Sequence, residues 1–199
     1  RLQFQDCVEE RKRVIRSAGF PPVLVAHSLG GVVAQKAAED EKISALILLS
    51  CLPSREIQMA PPPLRRNLRL KYAPLIFLRR PFCLEEKDFR RLWLASVPQG
   101  RQADIFGRMV PESSYLVREF LDRRAKIDPK RICCPVLVVG GSEDRVVPAA
   151  SLREVAQSLR ADLKEYPDHG HWVMGEAGGD VIVRDIHRWM VQKLGEGIL

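Results

Sequence analysis

The stretch Val23-Leu24-Val25-Ala26-His27-Ser28-Leu29-Gly30-Gly31 joins a strand pattern to a helix pattern across a single serine. Residues 23–26 are apolar without interruption, which is typical of a short strand buried on both faces of a parallel sheet. Residues 29–39 are mostly small and apolar, and this composition favours a helix. The stretch therefore predicts a buried strand, a sharp turn at Ser28 and a helix that starts directly after it.

The same alternation of helices and strands extends through both ends of the chain. A first helix is predicted up to about Ala18, where Gly19 and Pro21-Pro22 end it. Further strands are predicted at residues 43–49, 133–139 and 161–166, and further helices at residues 151–159 and 181–194. Strands that alternate with helices at this spacing predict an α/β fold whose sheet is mostly parallel and flanked by helices. The length of 199 residues and the hydrophobic content of 46% fit one domain.

The middle of the chain, from about residue 54 to residue 130, has a different composition. It is rich in proline and arginine, it favours helices, and it contains no strand pattern like those at the two ends. It holds 17 Lys or Arg and 9 Asp or Glu, so its net charge of +8 accounts for the +7 of the whole chain. We therefore expect a single domain, residues 1–199, with a helical cap insertion at about 54–130.

Basic pairs in this segment raise the question of an anionic partner. The pairs are Arg65-Arg66, Arg79-Arg80, Arg90-Arg91 and Arg123-Arg124. They could attract an anionic substrate, a lipid surface or nucleic acid. Because no zinc-finger or RRM pattern accompanies them, a solvated helical face is favoured and no specific nucleic-acid partner is expected. A membrane surface stays an alternative partner for the basic cap.

Other features of the sequence argue against a metal site and a membrane span. The five cysteines are odd in number and show no metal-ligand spacing. No apolar run approaches the roughly 20 residues of a transmembrane helix, and the start of the chain is charged, unlike a signal peptide. We therefore expect a soluble, cytoplasmic protein with reduced cysteines and without a metal or cofactor.

Ser28 stands at the centre of the pattern small-x-Ser-x-Gly, in which Ala26 and Gly30 are the small residues. Between a strand and a helix, this pattern favours a nucleophile on a sharp, strained turn, where small residues allow the two elements to approach closely. The N–H group of Leu29 would lie beside the hydroxyl and could stabilise an oxyanion. The alternative is an ordinary strand-to-helix turn.

A carboxylate follows the strand predicted at residues 133–139, in the run Gly140-Gly141-Ser142-Glu143-Asp144-Arg145. Functional groups of parallel sheets gather at the carboxyl ends of strands, where a carboxylate can orient an imidazole. Asp144 is preferred for this role, and Glu143 is interpreted as a solvated turn residue. The alternative for Asp144 is an Asx-turn or a helix cap.

Two histidines follow the last predicted strand, in the run Tyr166-Pro167-Asp168-His169-Gly170-His171-Trp172. An imidazole can deprotonate a serine near neutral pH, so either His169 or His171 could be the base. The residues alone do not separate the two. His27 is interpreted as packed structure, and His187 as a surface or packing residue.

The runs AHSLGG, GGSEDRVVP and HGHW, in this order, resemble those of the α/β-hydrolase superfamily of serine esterases, lipases, lysophospholipase-like enzymes and thioesterases. In that superfamily the base follows a glycine and commonly precedes an aromatic residue, which selects His171. The resemblance implies hydrolysis of an ester or thioester through an acyl-serine intermediate, with Ser28 as nucleophile, Asp144 as acid and His171 as base. It also implies a small-molecule acyl ester or thioester as substrate and no cofactor.

The position of the serine turn differs from the pattern of that superfamily. There the serine follows the fifth of about eight strands, whereas here it follows the first strand that the sequence shows. The resemblance therefore implies an N-terminally incomplete domain, without the loop that supplies a second oxyanion donor. We expect residues 23–26 to form an open, apolar sheet edge, which invites pairing with another chain.

Two other functions stay open at this point. A non-catalytic or incomplete fragment of this fold could act by binding, and an acyltransferase could use the same three residues. If the cap covers a substrate, several of its apolar residues should line a pocket above Ser28. These residues are Leu75, Ile76, Phe77, Leu78, Phe82, Leu92, Trp93 and Phe106.

Overall fold

The computed structural model describes residues 2–57, 63–121 and 125–195. The basic pair Arg123-Arg124 lies outside the described residues, and so do residues 58–62 of the middle segment. The two ends of the chain that carry the strand patterns are described almost throughout, so the predicted architecture can be compared with the structure.

Helices and strands alternate along the described chain as the sequence predicts. The strands are β1 (Val23–His27), β2 (Ala45–Leu49), β3 (Val136–Gly141) and β4 (Asp162–Tyr166). The α-helices are α1 (Phe4–Ser17), α2 (Leu29–Ala38), α3 (Pro63–Phe77), α4 (Glu86–Leu92), α5 (Gln99–Gly107), α6 (Ser114–Leu121), α7 (Ala149–Leu159) and α8 (Gly179–Leu194). Strand β3 begins at Val136 rather than at Cys133, because Pro135 has no N–H group to donate to a sheet.

The four strands form one parallel sheet in the order β1-β2-β3-β4. Val25 of β1 lies opposite Ile47 of β2, and Ile47 lies opposite Leu137 of β3. Because all four strands run in the same direction, the loops that follow β1, β3 and β4 leave the sheet at the same edge. This edge receives all three residues of the predicted site.

Alternate side chains of the central strands pack on the two faces of the sheet. Leu46 and Leu48 of β2 belong to a core that includes residues of α1, α2 and α7. Ile47 belongs to a second core with Ile182 and Trp189 of α8. All three β2 residues are completely buried, so helices cover both faces of the sheet, as the continuous apolar runs predict.

The middle segment between β2 and β3 consists of helices α3 to α6 and an isolated antiparallel bridge between Phe82 and Glu112. Tyr72 and Leu92 join the core on the side of α2 and α7. A separate small cluster lies within the segment, and its buried members are Phe89, Leu94 and Val97. The described part of the segment is therefore helical, as predicted. Its role as a cap over the site stays a proposal.

Strand β1 forms one edge of the sheet, and within the described chain its only strand neighbour is β2. Its residues are half-buried except Val25, which exposes 56% of its surface. The opposite edge strand, β4, carries the charged residues Asp162, Lys164 and Glu165. The open apolar edge expected at residues 23–26 is therefore present in the structure.

Candidate active site

The turn after β1 and the loops after β3 and β4 bring Ser28, Asp144 and His171 into one hydrogen-bonded chain. The Ser28 hydroxyl oxygen lies 3.0 Å from Nε2 of His171, and Nδ1 of His171 lies 2.8 Å from Oδ2 of Asp144. The side chains of Asp144 and His171 are 0% exposed, whereas Ser28 lines an open crevice. The serine is therefore the member of this chain that a substrate can reach.

Ser28 has the strained backbone expected of a residue on a sharp strand-to-helix turn. Its φ of 54° and ψ of −124° lie outside the regions that L-residues favour. Its N–H donates to the carbonyl of Leu49, and its carbonyl accepts from the N–H groups of Gly31 and Leu52. Contacts with the end of β2 and with the first turn of α2 thus hold the serine in this conformation.

The small residues around Ser28 do not all act as the pattern predicts. A Cβ atom at Gly30 would meet no described atom within 4 Å, so the approach of strand and helix does not depend on Gly30. The expectation for Gly30 is therefore wrong. The crowded position is Gly31, where a Cβ atom would lie 2.3 Å from Sγ of Cys51. Ala26 is half-buried and packs against the core on the α2 side, which is consistent with its predicted role.

Leu29 is the first residue of α2 and lines the crevice together with Ser28. The first N–H groups of a helix have no acceptor within that helix, and they form the positive end of its dipole. An anion formed at the serine would therefore find the N–H of Leu29 nearby. This backbone group stays our candidate oxyanion donor.

Asp144 uses both oxygens of its carboxylate. Oδ1 accepts the backbone N–H groups of Val146 and Val147 at 2.7 and 2.8 Å, and Oδ2 faces His171. The Asx-type bonds that the sequence offers as an alternative therefore exist, but they occupy one oxygen only. They fix the carboxylate in the orientation in which the other oxygen reaches the imidazole.

The partners of His171 decide which of its ring nitrogens carries the proton. A carboxylate can only accept, so Nδ1 must donate to Asp144. Nε2 of the neutral ring is then left to accept from the hydroxyl of Ser28. This is the protonation state in which an imidazole can act as a base toward a serine.

The second histidine of the loop, His169, is bonded elsewhere. Its Nδ1 lies 3.1 Å from Oε2 of Glu176, and its carbonyl accepts from the N–H of Glu143 at 2.8 Å. The structure thus brings His171, rather than His169, to the serine. Glu143 is exposed in its turn and His187 is exposed on α8, so neither takes part in the site.

His27 packs against the base from the other side of the turn. Its Nε2 lies 2.8 Å from the carbonyl oxygen of His171, and the centres of the two rings are 4.7 Å apart. Burial, and next the proximity of the His171 ring, lower the pKa of His27 to about 4, so the ring of His27 is neutral near pH 7. The sequence reading missed this contact and the role of Glu176. No local pattern points to either contact, since His27 meets a segment 144 positions further on and Glu176 folds back on residues of its own irregular loop.

Ser28 opens into a crevice of 1120 Å³ that runs between the middle segment, α1 and the outer side of β1. Charged side chains of both signs, among them Arg101 and Asp104, line the same crevice. Much of its wall is apolar, and the apolar residues that the middle segment and the loop after β4 contribute are Phe89, Trp93, Ile105, Met109, Val110, Leu116 and Trp172. The crevice therefore offers an apolar surface next to the serine.

Of the eight apolar residues expected to line a pocket above Ser28, only Trp93 does so. Phe77 and Leu78 are exposed, and Phe106 packs in the small cluster around Phe89. The prediction is wrong for most of the set, because apolar positions of these helices first serve to bury the middle segment. Besides Trp93, the four that pack in or against the main core are Leu75, Ile76, Phe82 and Leu92.

Metal-ligand clusters, long apolar helices and paired basic residues are the features that bear on other kinds of partner. Within residues 2–57, 63–121 and 125–195, no three His, Cys, Asp or Glu side chains are grouped so that they could hold a metal ion. None of the helices in the same ranges is both long and apolar enough to cross a membrane. Two of the basic residues have local partners, because Arg90 pairs with Glu86 and Arg79 lies over the ring of Tyr115.

Comparisons with known proteins agree with this architecture. Residues 2–185 match the sequence model of the alpha/beta hydrolase family, whereas a search of curated proteins finds no match. A monoacylglycerol lipase from Paleococcus ferrophilus is 20% identical with a TM-score of 0.70, over 96% of this chain and 76% of that one. A thermophilic esterase from Thermogutta terrifontis is 16% identical with a TM-score of 0.67, over 96% and 73%. A meta-cleavage product hydrolase is 16% identical with a TM-score of 0.66, again over 96% and 73%.

The family model compares sequence and the solved structures compare fold, and both agree on an alpha/beta hydrolase architecture. The model covers nearly the whole chain, including the segments that carry Ser28, Asp144 and His171. The solved structures share the parallel sheet with flanking helices, although identities of this size show the fold alone. The chain belongs to the alpha/beta hydrolase family.

Proposed function

We propose that this protein hydrolyses a carboxylic ester or thioester through an acyl-serine intermediate. The observation that carries the proposal is the continuous chain of hydrogen bonds from the Ser28 hydroxyl through His171 to Asp144, with only the serine open to the crevice. Membership of the alpha/beta hydrolase family and similarity to solved esterase and lipase structures support a hydrolase.

The first half of the proposed reaction forms the acyl-enzyme. His171 Nε2 takes the proton from Ser28 as Oγ attacks the carbonyl carbon of the substrate. Asp144 stabilises the imidazolium through the bond to Nδ1, and the N–H of Leu29 donates to the negative oxygen of the tetrahedral intermediate. The imidazolium then protonates the leaving alcohol or thiol as the bond from the carbonyl carbon to the leaving group breaks.

The second half of the reaction releases the acid. A water molecule enters in place of the leaving group and gives a proton to Nε2 of His171 while its oxygen attacks the acyl carbon. Collapse of the second tetrahedral intermediate returns that proton to Ser28 and frees the carboxylic acid. The groups that this cycle uses are the three side chains, the backbone N–H of Leu29 and water.

The walls of the crevice support an acyl or aromatic group as the recognised part of the substrate. Phe89, Trp93 and Met109 line it on the side of the middle segment, and Trp172 follows the base directly. The ring of Trp93 meets that of His171 edge-on, with centres 6.5 Å apart. An apolar chain that leaves the scissile carbonyl can therefore be buried against Trp93, which supports the segment as a cap over the site.

The proposal is tested by turnover of p-nitrophenyl esters of increasing acyl length and by labelling with a fluorophosphonate. We expect both activities in the wild type, with kcat/KM rising by up to about 4-fold for each added methylene, since each contributes about 0.8 kcal/mol on burial. Ser28→Ala should abolish labelling and lower kcat by about 1,000-fold or more. The control is Ser17→Ala on α1, because its hydroxyl bonds to the carbonyl of Val14 and it does not line the crevice.

The outcome separates the proposal from the alternatives. Absence of labelling and turnover in the wild-type protein would contradict the proposal and favour a family member that acts by binding. Labelling of the serine together with product formation only when an acceptor alcohol is added would favour acyl transfer. Equal rates for acetate and longer esters would contradict the assignment of the apolar wall to acyl recognition.

A further inference from the structure

The main chain of the base is held by side-chain contacts on both sides of the residue. On one side the N–H of Gly170 donates to Oε2 of Glu176 at 2.7 Å, and on the other the carbonyl of His171 faces Nε2 of His27 at 2.8 Å. We infer that His27 and Glu176 are positioning residues that together keep the imidazole of His171 in line between Ser28 and Asp144. This inference rests on the proposed function, because it assigns the two residues a role in the same reaction.

His27 links the backbone of His171 to the serine turn, because it is bonded to the one and adjoins the other. It is the last residue of β1 and directly precedes Ser28, while the carbonyl that it contacts lies 144 positions further on. A carbonyl oxygen only accepts, so Nε2 must carry the proton of this bond. The ring is neutral at pH 7 because burial lowers its pKa to about 4, and in this tautomer Nε2–H donates. Any displacement of the base loop relative to the serine would stretch this bond.

Glu176 holds the residue before the base from inside the loop. Its side chain is 2% exposed, and the same oxygen that accepts from Gly170 also lies 3.1 Å from Nδ1 of His169. A buried carboxylate is costly to desolvate, and its bonds to donors are stronger than those of a neutral acceptor. Here those bonds are made to the two residues immediately before His171. Through these bonds Glu176 fixes the chain immediately before the imidazole.

The chain around the base needs such contacts because it is a loop rather than a helix or strand. Residues 167–178 connect β4 to α8, and Asp168 and Gly178 have φ values of 60° and 84° near its two ends. The Asp144 contact fixes the ring of His171 but not the backbone beneath it. Misplacement of a catalytic group by about 1 Å can lower a rate by about 100-fold. Together with the bond from the N–H of Glu143 to the carbonyl of His169, the two contacts restrain the backbone on both sides of the imidazole.

The test for His27 uses three substitutions that differ in donor position. His27→Gln places an amide nitrogen near the position of Nε2, His27→Asn places it near Nδ1, and His27→Phe keeps a ring without a donor. We expect kcat for ester hydrolysis to fall about 10- to 100-fold in His27→Phe and His27→Asn, to recover most of the wild-type value in His27→Gln, and KM to change less than about 2-fold. Thermal unfolding midpoints measured on the same samples show whether each variant is folded.

The matching pair at the other contact is Glu176→Gln and Glu176→Leu. The first keeps an oxygen that can accept from Gly170, and the second leaves this buried N–H without its acceptor. We expect kcat to stay within a few-fold of wild type in Glu176→Gln and to fall about 10- to 100-fold in Glu176→Leu. Equal kcat in the two variants would remove Glu176 from the inference.

A spectroscopic readout keeps the inference separate from the activity. The proton that His171 Nδ1 shares with Asp144 should give a downfield proton NMR resonance, which is assigned by its loss in Asp144→Asn. We expect this resonance to be lost or broadened in His27→Phe and Glu176→Leu and kept in His27→Gln and Glu176→Gln. If the wild type shows the resonance but no hydrolysis, the proposed function fails while the positioning role is still decided by the variants.

Two results would overturn the inference. One is an unchanged resonance and unchanged kcat in His27→Phe and Glu176→Leu. The other applies if those two variants do not fold: equal kcat and equal resonances in His27→Gln and His27→Asn would show that the position of the donor does not matter.

Discussion

At the scale of single residues, the site is a set of polar groups whose hydrogen-bonding capacity is matched. Asp144 accepts two backbone N–H groups on one oxygen and the imidazole of His171 on the other. Both side chains of this pair are removed from water, so neither could stay there without the other. Ser28 completes the chain at the surface, and its strained backbone directs the hydroxyl toward the base. The geometry of the site therefore depends on a few polar atoms that both backbone N–H groups and neighbouring side chains hold in place.

His27 should make the protein more sensitive to acid. Its pKa is 6.5 in an unfolded chain and about 4 in the folded protein, because burial and the nearby His171 disfavour its charged form while Asp144 offsets part of this effect. Between these two values the unfolded chain binds a proton that the native protein does not. The free energy of unfolding therefore falls as the pH drops from about 6.5 to about 4, by up to about 3 kcal/mol from this group.

Urea denaturation of the wild type and of His27→Gln at pH 7, 5.5 and 4 measures this contribution. Glutamine keeps a donor and does not titrate, so we expect the wild type to lose more stability than the variant on acidification. The extra stability that the wild type loses, measured for each protein relative to its own value at pH 7, should be largest near pH 4. Parallel pH dependence in the two proteins would show that His27 is not the group responsible.

At the scale of elements, the serine turn depends on how closely α2 approaches the chain that follows β2. The contact is made by Gly31 of α2 and Cys51, which is completely buried beyond the end of β2. The backbone bond from Leu52 to the carbonyl of Ser28 crosses the same contact. The helix, the strand and the strained serine are therefore one packed unit. A change in the spacing of helix and strand should displace the hydroxyl of Ser28.

Alanine at the two neighbouring glycines of α2 gives a matched test of this contact. A Cβ atom at residue 31 would lie 2.3 Å from Sγ and 3.0 Å from Cβ of Cys51, whereas at residue 30 it would meet nothing within 4 Å. We expect Gly31→Ala to destabilise the protein by about 1–3 kcal/mol and Gly30→Ala to be neutral or stabilising by up to about 1 kcal/mol. Chemical denaturation measures both values. Equal effects of the two substitutions would refute the packing argument.

At the scale of the whole molecule, the two edges of the sheet differ in how they meet solvent. The β4 edge carries charged residues on alternate and adjacent positions, which oppose pairing with another strand. The β1 edge is apolar, and its most exposed residue, Val25, also lines the crevice. The unprotected edge and the candidate active site therefore lie on the same side of the molecule.

Val25→Lys should reduce self-association by placing a charge on the open edge. We expect the fraction of monomer in size-exclusion chromatography to rise in this variant, because a charged side chain on an edge strand opposes strand pairing. The control is Val181→Lys, since Val181 is similarly exposed but lies on α8, away from the sheet edge. If the two variants and the wild type have the same monomer fraction, the β1 edge is not a site of association.

The family resemblance led to the expectation of an open edge at β1, whereas the sequence alone determined the alternation of strands and helices and the helical middle segment. These features are encoded locally, because a run such as residues 136–139 can be buried on both faces only in a covered parallel sheet. Once the strands are parallel, the residues after β1, β3 and β4 must meet at one edge. For this reason Ser28, Asp144 and the histidine loop could be predicted to converge before any coordinates were available.

Only the tertiary structure decided which side chains meet within that edge. The residues alone left His169 and His171 equivalent as bases, and the family resemblance favoured His171. Their separation in space follows from the bond of His169 to Glu176 and from the contact of His27 with the carbonyl of His171. Sequence patterns also did not show that Gly31, rather than Gly30, packs closely against a neighbour. Nor did they show that Phe89 lines the crevice and Phe82 does not. The physical reason is that most of these contacts join segments far apart in the chain, and the bond from His169 to Glu176 depends on the irregular path of one loop. Neither the relative positions of strands nor the path of a loop is encoded in a local pattern.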